Sequence, residues 1–217
     1  MKKVFMFFVL LLATSTALTA QVFVGGGLGF SSDGGKTTTG STEIKDPTTT
    51  SFSFQPTVGY FLNDKFAFGL SLAIGGTNIS GVNALNQDYE NKTTSWSVFP
   101  FARYYFLTFD KLSFYAQGSL MFGGQDSSVT VGSTTTNSPY VAKIGFNVFP
   151  AVQYCLSDNL GLFANLNFLS LNYTHSSQKD EDANPTVTKE TDSFNFGVNA
   201  DNVLSTSAFT IGFFYEF

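Results

Sequence analysis

The chain has 217 residues, a length that suits one domain better than two. Charged residues are only 12% of it, about half the share of an ordinary soluble domain, while aromatics reach 17% with 26 Phe, too many for a disordered chain. Eleven basic against 16 acidic residues give a net charge of −5, which argues against nucleic acid as a partner.

The first element is a leader. Met1-Lys2-Lys3 is a positive start, Val4 to Ala13 is almost wholly apolar, and Thr14 to Ala20 is rich in small residues. This order predicts a signal peptide over 1–20, cut after Ala20, with Ala17 as the second choice. Its apolar core is too short to span the roughly 30 Å of a bilayer interior as an anchor. Removing Lys2 and Lys3 leaves nine basic and 16 acidic residues, a net of −7, on a mature domain over 21–217. Cys155 is the one cysteine, so no internal disulfide is available.

Beyond the leader no run is long and apolar enough for a helical span, and the apolar period is two. Even positions carry Val22, Val24, Leu28 and Phe30 against Gly25, Gly27, Gly29 and Ser31. Phe52 to Leu62 and Phe66 to Ile74 repeat the beat against Ser, Thr, Gln, Gly and Ala. Trp96 to Tyr104, Leu112 to Phe122, Tyr140 to Tyr154 and Leu160 to Phe168 continue it, and Phe209 to Phe217 closes the chain on odd positions. Eight such segments suit membrane-spanning strands of about 9–11 residues. Long Thr/Ser/Gly/Asn-rich connections over 33–50, 76–93, 124–139 and 175–192 are expected to be loops on one side. Short turns at Asn63-Asp64, Leu107 to Asp110 and Ser157-Asp158 fall on the other. The fold class read from this is all-β: an eight-stranded antiparallel transmembrane up-and-down β-barrel. A soluble β-sandwich alternates too. Here, however, the apolar face is nearly free of charge on every segment, and the first and last segments are placed to pair and abolish both edges.

Three segments share a weak repeat in which Pro56, Pro100 or Pro150 precedes Tyr60, Tyr104 or Tyr154 by four residues. The tyrosines, joined by Tyr215 and Phe217, are expected to form an aromatic girdle beside the short turns. Phe30, Phe52, Trp96, Phe122 and Tyr140 would form the other girdle. Because proline cannot donate to a ladder, a bulge or locally wide pairing is expected at each of the three. The apolar set is even at Phe194 and Phe196 and odd from Phe209, so the phase must change within 199–207. Leu169, Leu171 and Tyr173 imply a smaller slip late in the seventh segment.

The closing pattern Phe209, Ile211, Phe213, Tyr215, Phe217 resembles the last strand of Gram-negative outer-membrane barrels. With the leader and the loop rhythm, the mature chain is similar to the small barrel-domain proteins of the OmpA/OmpX/OmpW type. That resemblance implies residence in the cell outer membrane, lipid and lipopolysaccharide as surroundings, and recognition of the five terminal residues by the barrel-assembly machinery. No peptidoglycan-binding domain is expected after Phe217.

An eight-stranded barrel is narrow enough for side chains to fill. Arg103 and Glu216 face inward and are expected to pair, with Gln153 beside them and Lys143 and Gln117 in the same lumen network. Inward Phe99, Phe101 and Phe149 suit either an apolar pocket or a plug. The single histidine, His175, has Ser177 two residues on and Glu190 to orient its ring, a serine–histidine–acid set for a rim esterase similar to outer-membrane lipid A deacylases. The loop's charged character makes a solvated surface the plainer account of those residues. No metal cluster, phosphate loop or cofactor motif stands out. The main reading is therefore a non-enzymatic barrel with a structural, surface-interaction or adhesion role whose extracellular ligand the sequence does not name. A narrow porin-like channel or a transporter of small hydrophobic molecules is the alternative, and the esterase is third.

Overall fold

The computed structural model describes residues 22–39, 42–83, 87–166, 169–180, 185–198 and 209–217. Residues 1–21, which include the expected leader, lie outside them. The strands are β1 (Val22–Asp33), β2 (Lys36–Thr39), β3 (Thr42–Lys45), β4 (Thr48–Asn63), β5 (Phe66–Val82), β6 (Asp88–Phe109), β7 (Leu112–Val131), β8 (Thr134–Cys155), β9 (Leu160–Leu166), β10 (Leu169–Asp180), β11 (Val187–Val198) and β12 (Phe209–Glu216).

Eight of them close a ring in the order β1-β4-β5-β6-β7-β8-β9-β12, every neighbour antiparallel. Closure runs through Phe23↔Glu216 to Gly26↔Phe213. Two backbone bonds lock the last residues: Phe217 N donates to Val22 O at 2.9 Å, and Glu216 N donates to Asn159 O at 2.7 Å. No edge is left at this end for another chain to extend.

The short turns follow from their residues. In the β4–β5 turn the Asn63 side-chain oxygen accepts from the backbone N–H groups of Lys65 and Phe66, at 2.9 and 3.0 Å, a local bond that asparagine makes readily. Asp110 opens the β6–β7 turn with φ at 48°, a left-handed conformation that Asp tolerates better than most residues. One extra residue is absorbed next to each turn, between Phe61 and Asn63 on β4 and between Tyr105 and Leu107 on β6.

At the opposite end the structure corrects the sequence reading. Much of what read as long loops is paired strand. β5 and β6 stay in register to Val82↔Asp88, β7 and β8 to Val131↔Thr134, and β10 and β11 to Asp180↔Val187. Gly132, with φ at 58°, makes the tight β7–β8 tip. Thr- and Ser-rich stretches form ladders because cross-strand hydroxyl pairs such as Thr130–Thr135, at 2.9 Å, replace apolar contacts. The apolar beat stops there, but the hydrogen-bonded ladder does not need it.

β10 and β11 stand on the upper half of β8, and β9 and β12 carry the wall below. Asn165 faces Ala151 while Leu171 faces Val148, so the numbering advances by six from β9 to β10 against three on β8. The odd excess moves the outward set from even positions in β9 to odd positions in β10, the slip read near Leu169. The expected phase change within 199–207 lies outside the described residues. At Pro56 and Pro100 there is no bulge. The β4–β5 ladder skips Gln55 and Pro56 and resumes at Thr57↔Ser71 in the same register, and the β6–β7 ladder skips Phe99 and Pro100 in the same way. Pro150 sits where β8 changes partner from β10 to β9. A bulge does occur at a proline that the pattern had not singled out: Pro139 and Tyr140 together face Asp126.

Candidate functional site: inward side chains inside an apolar belt

Alternation gives the two faces of the wall. Outward stand large apolar side chains on every ring strand, among them Phe30, Phe68, Trp96, Phe122, Val148 and Phe213, all exposed. Tyr60, Tyr104, Tyr154, Tyr215 and Phe217 are exposed next to the short turns, where Phe66 meets Tyr104 and Tyr215 meets Phe217 with ring centroids 5.0 Å apart. Of the five terminal alternating residues, Ile211 and Phe213 are likewise outward, and the Phe209 side chain lies outside the described set. Eight residues separate Trp96 from Tyr104 and Phe52 from Tyr60. At about 3.3 Å per residue and a tilt of about 40°, that is a band about 20 Å tall. Beyond the band, outward positions become polar: Thr94, Lys92 and Glu90 on β6, His175 and Ser177 on β10, Asp192 and Glu190 on β11.

Inward, the lumen is filled. Phe23, Phe101, Tyr105, Tyr115 and Phe149 form one buried cluster, with Phe61 against it, and Phe163 and Phe214 are buried on the same side of the wall. Four of these rings lie over a glycine that is their direct cross-strand partner: Phe23 over Gly59, Phe101 over Gly69, Phe214 over Gly161 and Phe163 over Gly212. A Cβ at any of the four would collide with the ring, so glycine here makes the space that a large inward residue needs in a narrow barrel.

Arg103 is the centre of the plug and only 5% exposed. Its guanidinium carbon is 4.9 Å from the Phe23 and Phe101 ring centres and 4.8 Å from that of Tyr115. The ring faces attract the cation, and burial strengthens that attraction. Nε donates to Gln117 Oε1 at 2.8 Å, and Gln117 passes a bond to Ser119 at 3.1 Å.

The inward polar residues fall into a lower set, in which Tyr105 bonds to both Arg103 and Gln153 and Gln153 bonds to Glu216, and an upper set of Lys143 and Gln125. Arg103 does not form an ion pair with Glu216. It is held by rings and Gln117, while Glu216 is half-buried at the short-turn rim, lining a cavity of ≈ 250 Å³ with Asp64, Tyr105 and Gln153. Tyr105 lies between them and donates to Gln153 Oε1 at 3.1 Å. Lys143 belongs to the upper lumen, donating to Gln125 Oε1 at 2.7 Å. The pairing failed as an expectation because both residues are inward near one end of their strands, but alternation does not say which inward neighbours fill the gap between two strands on opposite sides of a ring.

His175 is outward, just above the belt. Asp192, rather than Glu190, holds its ring, with Nδ1 and Oδ1 2.9 Å apart, and Tyr173 donates to the same oxygen at 2.7 Å. Ser177 and Glu190 are cross-strand partners one row higher. Asp192 was missed because its nearness to His175 depends on the β10–β11 register. Gln125, Phe23 and Phe163 were missed as lumen-filling residues for the same kind of reason. Among the described residues no cluster of His, Cys, Asp and Glu could hold a metal ion.

No protein-family model matches the chain, and no curated protein sequence matches it. Neisserial surface protein A is similar to it at 17% identity over 90% of this chain and 97% of that one, with a TM-score of 0.35. Ail, the attachment invasion locus protein of Yersinia pestis, is similar at 13% identity over 92% and 100%, with a TM-score of 0.40. The outer membrane protein OprG from Pseudomonas aeruginosa is similar at 12% identity over 91% and 96%, with a TM-score of 0.47.

Proposed function

We propose that this chain is an integral outer-membrane barrel with a closed lumen, acting through its projecting hairpins in surface interaction or adhesion, and that it is neither a channel nor an enzyme. The observation that carries this reading is the inversion of the two faces. Apolar side chains cover the outside of the ring and a buried cation sits within it. A belt of that size on a soluble monomer would drive association. In hydrocarbon it is favourable, provided that every backbone group in the wall is paired, as ring closure arranges. Lipid and lipopolysaccharide are the surroundings this belt and the aromatic rows suit. The hairpins above it offer Thr, Ser, Asn and carboxylate groups to a polar extracellular partner.

The rest of the proposal concerns export and insertion. Residues 1–20 are removed after Ala20, leaving the barrel domain 21–217. The barrel-assembly machinery then reads the alternating Phe209, Ile211, Phe213, Tyr215 and Phe217.

Expression in a Gram-negative host followed by membrane fractionation tests the reading. The expected result is outer-membrane recovery, extraction only with detergent, a mature N-terminus at Gln21 and no conductance steps in planar bilayers. A freely soluble monomer, or steady ohmic steps from the wild-type chain, would overturn it.

A further inference from the structure

Above Arg103 the lumen contains a cavity of ≈ 20 Å³ lined by Gly27, Gln55, Thr57, Ser71, Arg103, Gln117, Phe163 and Asn165. It has room for about one water-sized sphere, and its wall is polar. Every polar group in that wall except Arg103 is neutral, and no carboxylate lines it. Thr57 and Ser71 share a hydrogen bond of 2.7 Å, which uses one hydroxyl proton of the two and leaves the other for a third partner. Amide groups of Gln55, Gln117 and Asn165 complete the lining.

The placement of the acids points the same way. Asp64, Asp110 and Glu216 all line the cavity at the short-turn rim, and none of them lines the cavity beside Arg103. Glu216 lines the rim cavity on the far side of Tyr105, and Lys143 adds a second cation higher up. Ring faces compensate a buried guanidinium only in part, and buried charges elsewhere are paired.

We propose that the cavity beside Arg103 binds a single monovalent anion of the halide class, held by the guanidinium and by hydroxyl and amide donors of the wall. The ion would supply the counter-charge that the rings and Gln117 do not, through charge-assisted hydrogen bonds in a place shielded from water. The site is a structural ion site within the plug, so its failure would leave the closed lumen and the membrane assignment standing.

Crystals of the detergent-solubilised barrel soaked in bromide test it, together with thermal unfolding in chloride and in gluconate at equal ionic strength. The expected result is one anomalous peak beside the Arg103 guanidinium. An apparent Tm about 2–4 °C higher in chloride is expected for wild type and is lost in Arg103→Met. If Arg103→Met does not fold, the two wild-type measurements decide the matter. No anomalous peak in the cavity, or equal Tm in the two anions, overturns the proposal.

Discussion

Arg103 shows how one residue can serve a membrane barrel without a carboxylate partner. Three ring faces and one amide oxygen surround its cation, and removing it leaves both a void and an unpaired Gln117 oxygen. Arg103→Ala is therefore expected to cost about 2–4 kcal/mol, read as a fall in the temperature at which folded and unfolded forms interconvert on a heat-modifiability gel. An unchanged transition would mean that the plug does not depend on the guanidinium. Gly59 is the complementary case. Phe23 is buried directly over it, so the methyl of Gly59→Ala must displace a ring that has nowhere to go. The expected loss is about 1–3 kcal/mol, partly restored by Phe23→Leu in the same chain. Above the belt, Lys92 and Asn78 donate to the two oxygens of Glu90, at 2.7 and 2.9 Å, and hold its carboxyl below the usual range. A lowered folded-state value means that this contribution is present at neutral pH and lost as pH falls through that value. In Lys92→Met the Glu90 titration, followed by carbon NMR, is expected to move up; no movement would remove Lys92 as the cause.

At the scale of the strand, proline and parity carry the argument. The ladder gap at Pro100 lies on the β7 side of β6, where an N–H donor is missing in any case. Pro100→Ala is expected to change stability by less than about 1 kcal/mol, since the gap already contains the cost. Ala102→Pro is the contrasting test. Ala102 pairs with Phe68 on one side and Gly118 on the other, and a proline there deletes a ladder bond in the apolar wall. It is expected to abolish the heat-modifiable form, and equal behaviour of the two variants would refute this account. The last strand separates assembly from stability. Phe217 contributes one backbone bond and an exposed ring, so deleting it is expected to cut insertion in cells sharply while leaving refolding into detergent micelles nearly intact. Loss of both would make Phe217 a stability element instead.

For the whole molecule, the ring of eight is tied at one end by short turns and by the Phe217–Val22 bond, and it continues at the other as paired hairpins. The belt is only about 20 Å tall, while β6 and β8 each run for 22 residues. The eight residues of β6 before Trp96 and the six of β8 before Tyr140 therefore extend past the belt. Shortening the β7–β8 hairpin by replacing residues 128–137 with a two-residue turn is expected to leave outer-membrane insertion and heat modifiability unchanged. The measurement is the fraction folded after extraction. A collapse in that fraction would show that the upper ladder supports the barrel rather than projecting from it.

The residue alternation by itself determined the barrel class, the outward faces, the position of the short turns and the parity slip near Leu169, because a period of two is a local property of extended backbone. It did not determine where the upper strands stop: Thr and Ser sustain a ladder as well as Phe does, and their pattern resembles that of a loop. Nor did it place Arg103 among Phe23, Phe101 and Tyr115, separate Arg103 from Glu216, or bring Asp192 to His175. Those contacts depend on register between strands distant in sequence and on which inward side chains meet across a closed ring. Both are set only when the ring shuts.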